Sequence, residues 1–239
     1  MTEIQGFCRD DFAPVKAQFA EHFAQGLERG ASVAVTLHGE PVVDLWAGDA
    51  DDHGTPWDRD SITNVWSTTK TMAAICMLML ADRGELDLNA PIARYWPEFK
   101  ANGKDQVTTA QVLGHTSGVP GWDPAIAVTD LYDWEKATSV LAAGPLWWEP
   151  GTMSGYHALC QGHLEGEILR RITGRSIGTF FREEVAEPLG ADFHIGLPEN
   201  EDHRYAPIVP PDAGIADVEG LDFDSLPMRI LLSCPATGA

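Results

Sequence analysis

Ser67-Thr68-Thr69-Lys70 opens a stretch that continues as Thr71-Met72-Ala73-Ala74-Ile75-Cys76-Met77-Leu78-Met79-Leu80-Ala81, with Gly84 placed to stop it. From Ser67 the pattern is helical, and Met72 to Ala81 is apolar all round. Such a helix is expected to be buried on every side. Ser67 and Lys70, three apart, share one face at its start.

A serine hydroxyl is a poor nucleophile until a base takes its proton. Lys70, one turn along, has an amine within reach of it. The start of a helix adds free backbone N–H groups and a positive dipole end where an oxyanion develops, the Ser67 N–H being the natural first half of an oxyanion hole. Alone the tetrapeptide says little, since a chain of this composition yields Ser-x-x-Lys by chance about 0.2 times. An N-capping serine followed by an exposed lysine has the same letters. What separates the two is the apolar run behind Lys70: a lysine there is costly without a partner, and desolvation favours the neutral amine that a general base needs.

Working outward, Pro14 to Arg29 carries Phe19, Phe23 and Leu27 four apart, an amphipathic helix before Gly30. Ser32 to His38 and Pro41 to Trp46 are β-rich runs, expected to pair as a hairpin across a Gly39-Glu40 turn. Further helices are expected over Thr108–Leu113, Val128–Ala143, Tyr156–Ile172 and Ser176–Glu187. In the third, Cys160, Leu164, Ile168 and Ile172 form a stripe at spacing four. Glu199 to Asp224 reads as an irregular excursion, and Met228 to Leu232 as a short helix or strand.

The 239 residues carry a net charge of −20, with 44% hydrophobic and 22% charged residues. That is ordinary globular composition. A surface this negative repels phosphate backbones and anionic lipid, so neither nucleic acid nor a membrane surface is an expected partner. The amino terminus has no basic and apolar leader pattern, and the run Met72–Ala81 is far short of the roughly 20 residues of a membrane span. Four scattered cysteines without Cys-x-x-Cys spacing suggest reduced thiols and a cytoplasmic setting.

Several ordered blocks resemble the serine hydrolases that include class C β-lactamases, family VIII carboxylesterases and DD-peptidases. They run from about Ala31 to Leu197: the hairpin, Ser67–Lys70, Leu86-Asp87-Leu88-Asn89-Ala90-Pro91, Tyr95–Phe99, Val107–Leu113, His115-Thr116-Ser117-Gly118-Val119-Pro120, Pro150-Gly151, Tyr156-His157-Ala158 and Glu187–Ala191. The resemblance implies an α+β fold of the β-lactamase/transpeptidase type, a helical domain beside an antiparallel sheet. Its parts would be residues 1–62 (amino-terminal helix and hairpin), 63–190 (mainly helical) and 191–239 (an irregular return segment, cut short). It implies catalytic Ser67, Lys70 and Tyr156, no cofactor, and a small-molecule ester as substrate. Ala158, where β-lactamases often carry Asn, leans it toward esterases. A β-lactamase or DD-peptidase type of amide hydrolysis is the alternative. A catalytically inert fragment or binding module is the alternative from another class.

The family's third motif, Lys-Thr-Gly or His-x-Gly on a late strand, is not read after Tyr156, so the chain is expected to be an incomplete version of the fold. Trp122, Trp147 and Trp148 border the family's cleft and are candidates for substrate binding, with packing as the competing role. His115–Gly118 is taken as a structural turn. His163 and Glu167, four apart, lack a third ligand and are taken as a polar helix face rather than a metal site. The acidic loop Asp49–Asp60 starts like a calcium loop but lacks its closing Glu, so a solvated loop is expected. A Gly-x-Ser-x-Gly elbow is not read either: Gly151-Thr152-Met153-Ser154-Gly155 has the wrong spacing.

Overall fold

The expected hairpin forms, with its turn one residue earlier than predicted. In the computed structural model, which describes residues 2–209, 222 and 225–233, strands Gly30–Leu37 and Glu40–Gly48 pair antiparallel around His38-Gly39. Both turn residues have positive φ (55° and 84°), the twist that a two-residue turn needs to match its strands. Glu40 therefore belongs to a strand. A third strand, Gln5–Cys8, was not foreseen. In chain order these elements are β1 (Gln5–Cys8), α1 (Ala13–Ala24), β2 (Gly30–Leu37) and β3 (Glu40–Gly48), and the sheet order is β1-β3-β2. Gly6 lies opposite Leu45 at φ 97°, and a β-carbon there would collide with the Asp44 carbonyl oxygen, so this strand position requires glycine.

The chain divides into two units. The first comprises residues 1–65 and 197–211 and contains the sheet. Val42 and Val43 are neighbours on central β3 and so point to opposite faces, yet both are buried. Phe12, Val15 and Phe19 pack against this cluster. Asp51 folds the acidic loop on itself, accepting from the backbone N–H groups of His53 and Thr55 and from the Thr55 hydroxyl.

The second unit comprises residues 66–196 and 212–239. Its helices are α2 (Thr68–Asp82), α3 (Thr109–Leu113), α4 (Trp134–Ala143), α5 (Cys160–Thr173), α6 (Ile177–Phe181), α7 (Glu187–Leu189) and α8 (Leu226–Ser233). The burial of α2 corrects the all-round expectation. Ala73, Cys76, Met77 and Leu80 enter the core, whereas Leu78 is 52% exposed. From α5, Cys160, Leu164 and Ile168 join that core with Trp96, Phe99, Phe180 and Phe181.

The segment expected to be one helix from Val128 to Ala143 is broken. Asp133 turns extended (φ −91°, ψ 93°) and caps α4, its side chain accepting from the Lys136 N–H. The helix expected from Thr108 forms as α3, started by a Thr108/Gln111 capping box, and Gly174 at φ 74° closes α5. The segment after Ser176 passes from α6 through a π-helical turn, Arg182–Ala186, into α7. Cys8 and Cys76 are free thiols, and the buried Cys160 thiol donates to the Val119 carbonyl at 3.5 Å; Cys234 lies outside the described residues, as does most of the expected excursion beyond residue 209. Among the described residues no helix is long and apolar enough to cross a membrane.

Candidate active site

Trp66, directly before Ser67, has φ 47°, a conformation that bulky side chains rarely adopt and that is often kept where geometry serves function. It turns the chain sharply into α2. The N–H groups of Thr69 and Lys70 then bond back three residues, to the carbonyls of Trp66 and Ser67. This tight first turn leaves Ser67 exposed at the head of α2.

Lys70 is half-buried, and its partners are visible. Its Nζ stands 3.4 Å from Ser67 Oγ, 2.6 Å from the Ala158 carbonyl oxygen and 5.0 Å from the centre of the Tyr156 ring. Tyr156 reaches Ser67 from the other side, its hydroxyl donating to Ser67 Oγ. The structure thus brings Ser67, Lys70 and Tyr156 into one cluster within the second unit. Tyr156 does not start a helix as expected; it lies in an irregular segment, four residues before α5 begins at Cys160. A helix there would have fixed Tyr156 through the α5 ladder. Instead it is fixed by what grips the segment on both sides.

That grip comes from the turn at residues 115–118. The Gly155 N–H bonds to the His115 carbonyl at 3.0 Å, and the Gly151 N–H to the Thr116 carbonyl at 2.9 Å. Ser117 and His157 are both buried and bonded, Oγ to Nε2, at 2.6 Å. Ser117 Oγ also accepts from the Val119 N–H, and His157 Nδ1 faces the Gly155 carbonyl at 2.6 Å. Only one tautomer satisfies all of these: Nδ1–H donates to Gly155, and Nε2 accepts from Ser117. Burial pushes His157 down to about 4, so it stays neutral.

The buried carboxyl of Glu165 was not singled out in the sequence. It is 0% exposed on α5, its Oε1 takes an N–H from Gln161, and its Oε2 has no hydrogen-bond partner among the described residues. Burial raises it to about 7, against the Gln161 bond and the nearby Lys70 charge. It lies off the Cys160–Leu164–Ile168 stripe and gave no signal by itself.

The three tryptophans separate. Trp122 is 1% exposed in the core, with its indole N–H on the Ala137 carbonyl, so it is a packing residue and not a cleft wall. Trp148 is buried, its ring against Gly155 next to Tyr156. Trp147 is half-buried beneath the Arg229 guanidinium at 5.1 Å. His163 and Glu167 are not an open polar face: the His163 ring stacks on Trp134, and buried Glu167 accepts from Trp134 Nε1, Arg170 and Arg171.

Two motifs escaped the sequence reading. Gly174-Arg175-Ser176-Ile177-Gly178 has the Gly-x-Ser-x-Gly letters. It follows helix α5 rather than a strand, however, and the Ser176 hydroxyl caps α6, accepting from the Thr179 N–H and donating to Thr179 Oγ1. His194-Ile195-Gly196 has the His-x-Gly letters, but it lies in irregular chain, with His194 on Asp192 and the Ile195 carbonyl packed on Gly178.

Helices and a small antiparallel sheet, with a helix-borne Ser-x-x-Lys facing a tyrosine, put the chain in the β-lactamase/transpeptidase fold class. The Beta-lactamase family model matches residues 19–238, and the chain belongs to that family. It is 42% identical to the esterase/beta-lactamase LipL of Mycobacterium tuberculosis (strain ATCC 25618 / H37Rv) over 206 residues, 84% of this chain and 47% of LipL. It is 32% identical to esterase EstB of Burkholderia gladioli over 218 residues, 82% of this chain and 55% of EstB. Among solved structures, a family VIII carboxylesterase is similar at 50% identity and a TM-score of 0.80, covering 85% of this chain and 57% of that one. A penicillin-binding protein homologue from Caulobacter crescentus is similar at 43% and 0.82, covering 88% and 57%. The chain spans about half the length of the curated relatives it matches.

Proposed function

We propose that this chain carries the nucleophile and the proton-handling groups of a serine hydrolase that cleaves small carboxylic esters. The observation that supports it is the convergence on Ser67 Oγ of two groups from different segments, the Tyr156 hydroxyl and the Lys70 amine. In the first half-reaction Ser67 Oγ bonds to the ester carbonyl carbon while its proton passes to the Lys70–Tyr156 pair. The pair returns that proton to the departing alcohol oxygen as the C–O bond breaks, leaving an acyl-enzyme. Water repeats the sequence on the acyl group, releasing the acid and restoring Ser67. The two groups act as one coupled unit, so neither owns the base role alone. The Ser67 N–H at the head of α2 supplies one oxyanion donor.

Esters are favoured over lactams because the position two beyond Tyr156 is Ala158, which offers only its carbonyl, and that carbonyl is engaged by Lys70. β-Lactam hydrolysis is the second reading, carried by the similarity to a protein named for both activities. Wild type and Ser67→Ala are incubated with a chromogenic short-chain ester and a chromogenic cephalosporin, with mass spectrometry for an acyl adduct. Ester turnover lost by orders of magnitude in the variant, with an adduct on wild-type Ser67, is the expected result. Equal rates in both proteins remove Ser67 from the chemistry. No turnover and no adduct in either identify an inert chain.

A further inference from the structure

His115 sits in the turn at residues 115–118, yet it touches the tyrosine segment in three ways. Its carbonyl accepts the Gly155 N–H at 3.0 Å. Its Nδ1 accepts the His157 N–H at 3.1 Å. Its ring lies 4.8 Å from the Tyr156 ring, centre to centre. The backbone amides on both sides of Tyr156 therefore end on one residue. His115 also holds φ 58°, a left-handed conformation that tips carbonyl and ring toward the same segment. Strain of this kind persists where the surroundings over-determine it, and here the surroundings are the two amides.

We propose that His115 is a positioning residue for Tyr156, clamping it through both flanking amides while Nδ1 is unprotonated and letting go of the His157 amide when Nδ1 takes a proton. The inference rests on the hydrolase reading only in saying what the clamp is for; the clamp itself is geometry. A nitrogen that accepts an N–H carries no proton, so neutral His115 is the Nε2–H tautomer. Protonation at Nδ1 sets N–H against N–H, abolishes the His157 bond, and adds positive charge beside the Tyr156 ring. The titratable groups facing His115 are Tyr156 and His157 on the segment itself and Lys70 on α2. Burial first, and the Lys70 charge second, hold His115 below the ordinary histidine value, so the clamp stays shut through neutral pH. A proton from solvent at lower pH opens it.

Two variants and one spectrum test this. His115→Asn keeps a non-titrating acceptor close to the Nδ1 position and tolerates positive φ; His115→Ala does neither. The expected results are a 10- to 100-fold loss of kcat for His115→Ala with KM changed less than threefold, and recovery of most of that loss in His115→Asn. In the Tyr156→Phe background His115→Ala should add almost nothing, because the group being positioned is already gone. The acid limb of the wild-type rate should lose one ionisation in His115→Asn. Full activity in His115→Ala, additive losses in the double variant, or an unchanged acid limb in His115→Asn would each overturn the proposal. Nitrogen-15 NMR of wild-type imidazoles judges it without turnover: Nδ1 of His115 should be unprotonated at pH 7 and titrate below 6.5. A protonated Nδ1 at neutral pH sinks the inference even if Ser67 is the nucleophile. The expected spectrum together with an active Ser67→Ala sinks the hydrolase reading and leaves the clamp.

Discussion

Lys70 Nζ lies 2.6 Å from the carbonyl oxygen of Ala158, so the helix that carries Ser67 is tied to the segment that carries Tyr156 by the amine between them. One N–H of Lys70 is spent on orientation and another points at Ser67 Oγ, 3.4 Å away. An arginine keeps the positive charge and the donors but never deprotonates in a protein. Lys70→Arg should therefore retain folding and lose turnover by about 10² or more, the scale of removing a proton-transfer group. Thermal unfolding alongside ester kinetics checks it, and near-normal turnover would mean that Lys70 supplies charge only.

Tyr156 offers a cleaner deletion. The side chain is 48% exposed and its hydroxyl contacts Ser67 Oγ. Phenylalanine removes that one oxygen and keeps the ring beside His115. We expect Tyr156→Phe to cut kcat by about 10²–10⁴ while stability moves within about 0.5 kcal/mol. A large fall in stability would show that the hydroxyl holds the segment rather than the proton.

Glu165 predicts a pH dependence of stability whose sign differs from that of a salt-bridged carboxylate. The folded chain holds its proton up to about 7, against 4.5 for the free group. The folded state thus binds more protons than the unfolded one between those values, and stability falls as pH rises across that window. The loss is up to about 3 kcal/mol, complete above pH 7. Glu165→Gln keeps the shape and removes the ionisation. Its midpoint in urea should be flatter than that of wild type from pH 4.5 to 7. An equally steep wild-type-like slope in the variant would assign the effect to another group.

The parts of this fold legible in the sequence are those set by local chemistry. The helix start at Thr108, the Gly84 stop and the Cys160–Leu164–Ile168 stripe each depend on residues within a few positions of one another, and all three stand. What was missed depends on distant partners. Strand β1 has no alternation to betray it and exists because β3 offers Asp44 and Leu45 as register partners. The period of α5 runs back through Tyr156 and points to a helix there, whereas His115, forty-one positions upstream, draws its flanking amides away. The Ser67–Lys70 pair was visible because it is local; the clamp behind Tyr156 was not, because its two halves lie on separate segments.

Ser176 tests the rival elbow directly. Its hydroxyl is committed to Thr179 at the start of α6. Ser176→Ala should cost about 1 kcal/mol of stability, as the loss of an N-cap does, and leave ester turnover intact. A turnover loss rivalling that of Ser67→Ala would transfer the nucleophile to the Gly174–Gly178 motif.

Gly155 precedes Tyr156, and the space for it is closed. A β-carbon there would lie 2.5 Å from Trp148 Cη2 and 2.7 Å from Ile230 Cδ1. Ile230 is flexible enough to yield, but the Trp148 indole is rigid and buried. The cheaper response is for the segment to back away, which stretches the Gly155 bond to His115 and carries the Tyr156 hydroxyl off Ser67. Gly155→Ala should lower stability by about 1–3 kcal/mol, the usual cost of overpacking, and reduce turnover with it. The smaller ring of Trp148→Phe opens room on that side. The double variant Gly155→Ala/Trp148→Phe should therefore recover turnover relative to Gly155→Ala alone, even though Trp148→Phe by itself removes buried contacts. A double variant as slow as the single one would mean that the collision is not what displaces Tyr156, and that the glycine serves the backbone path instead.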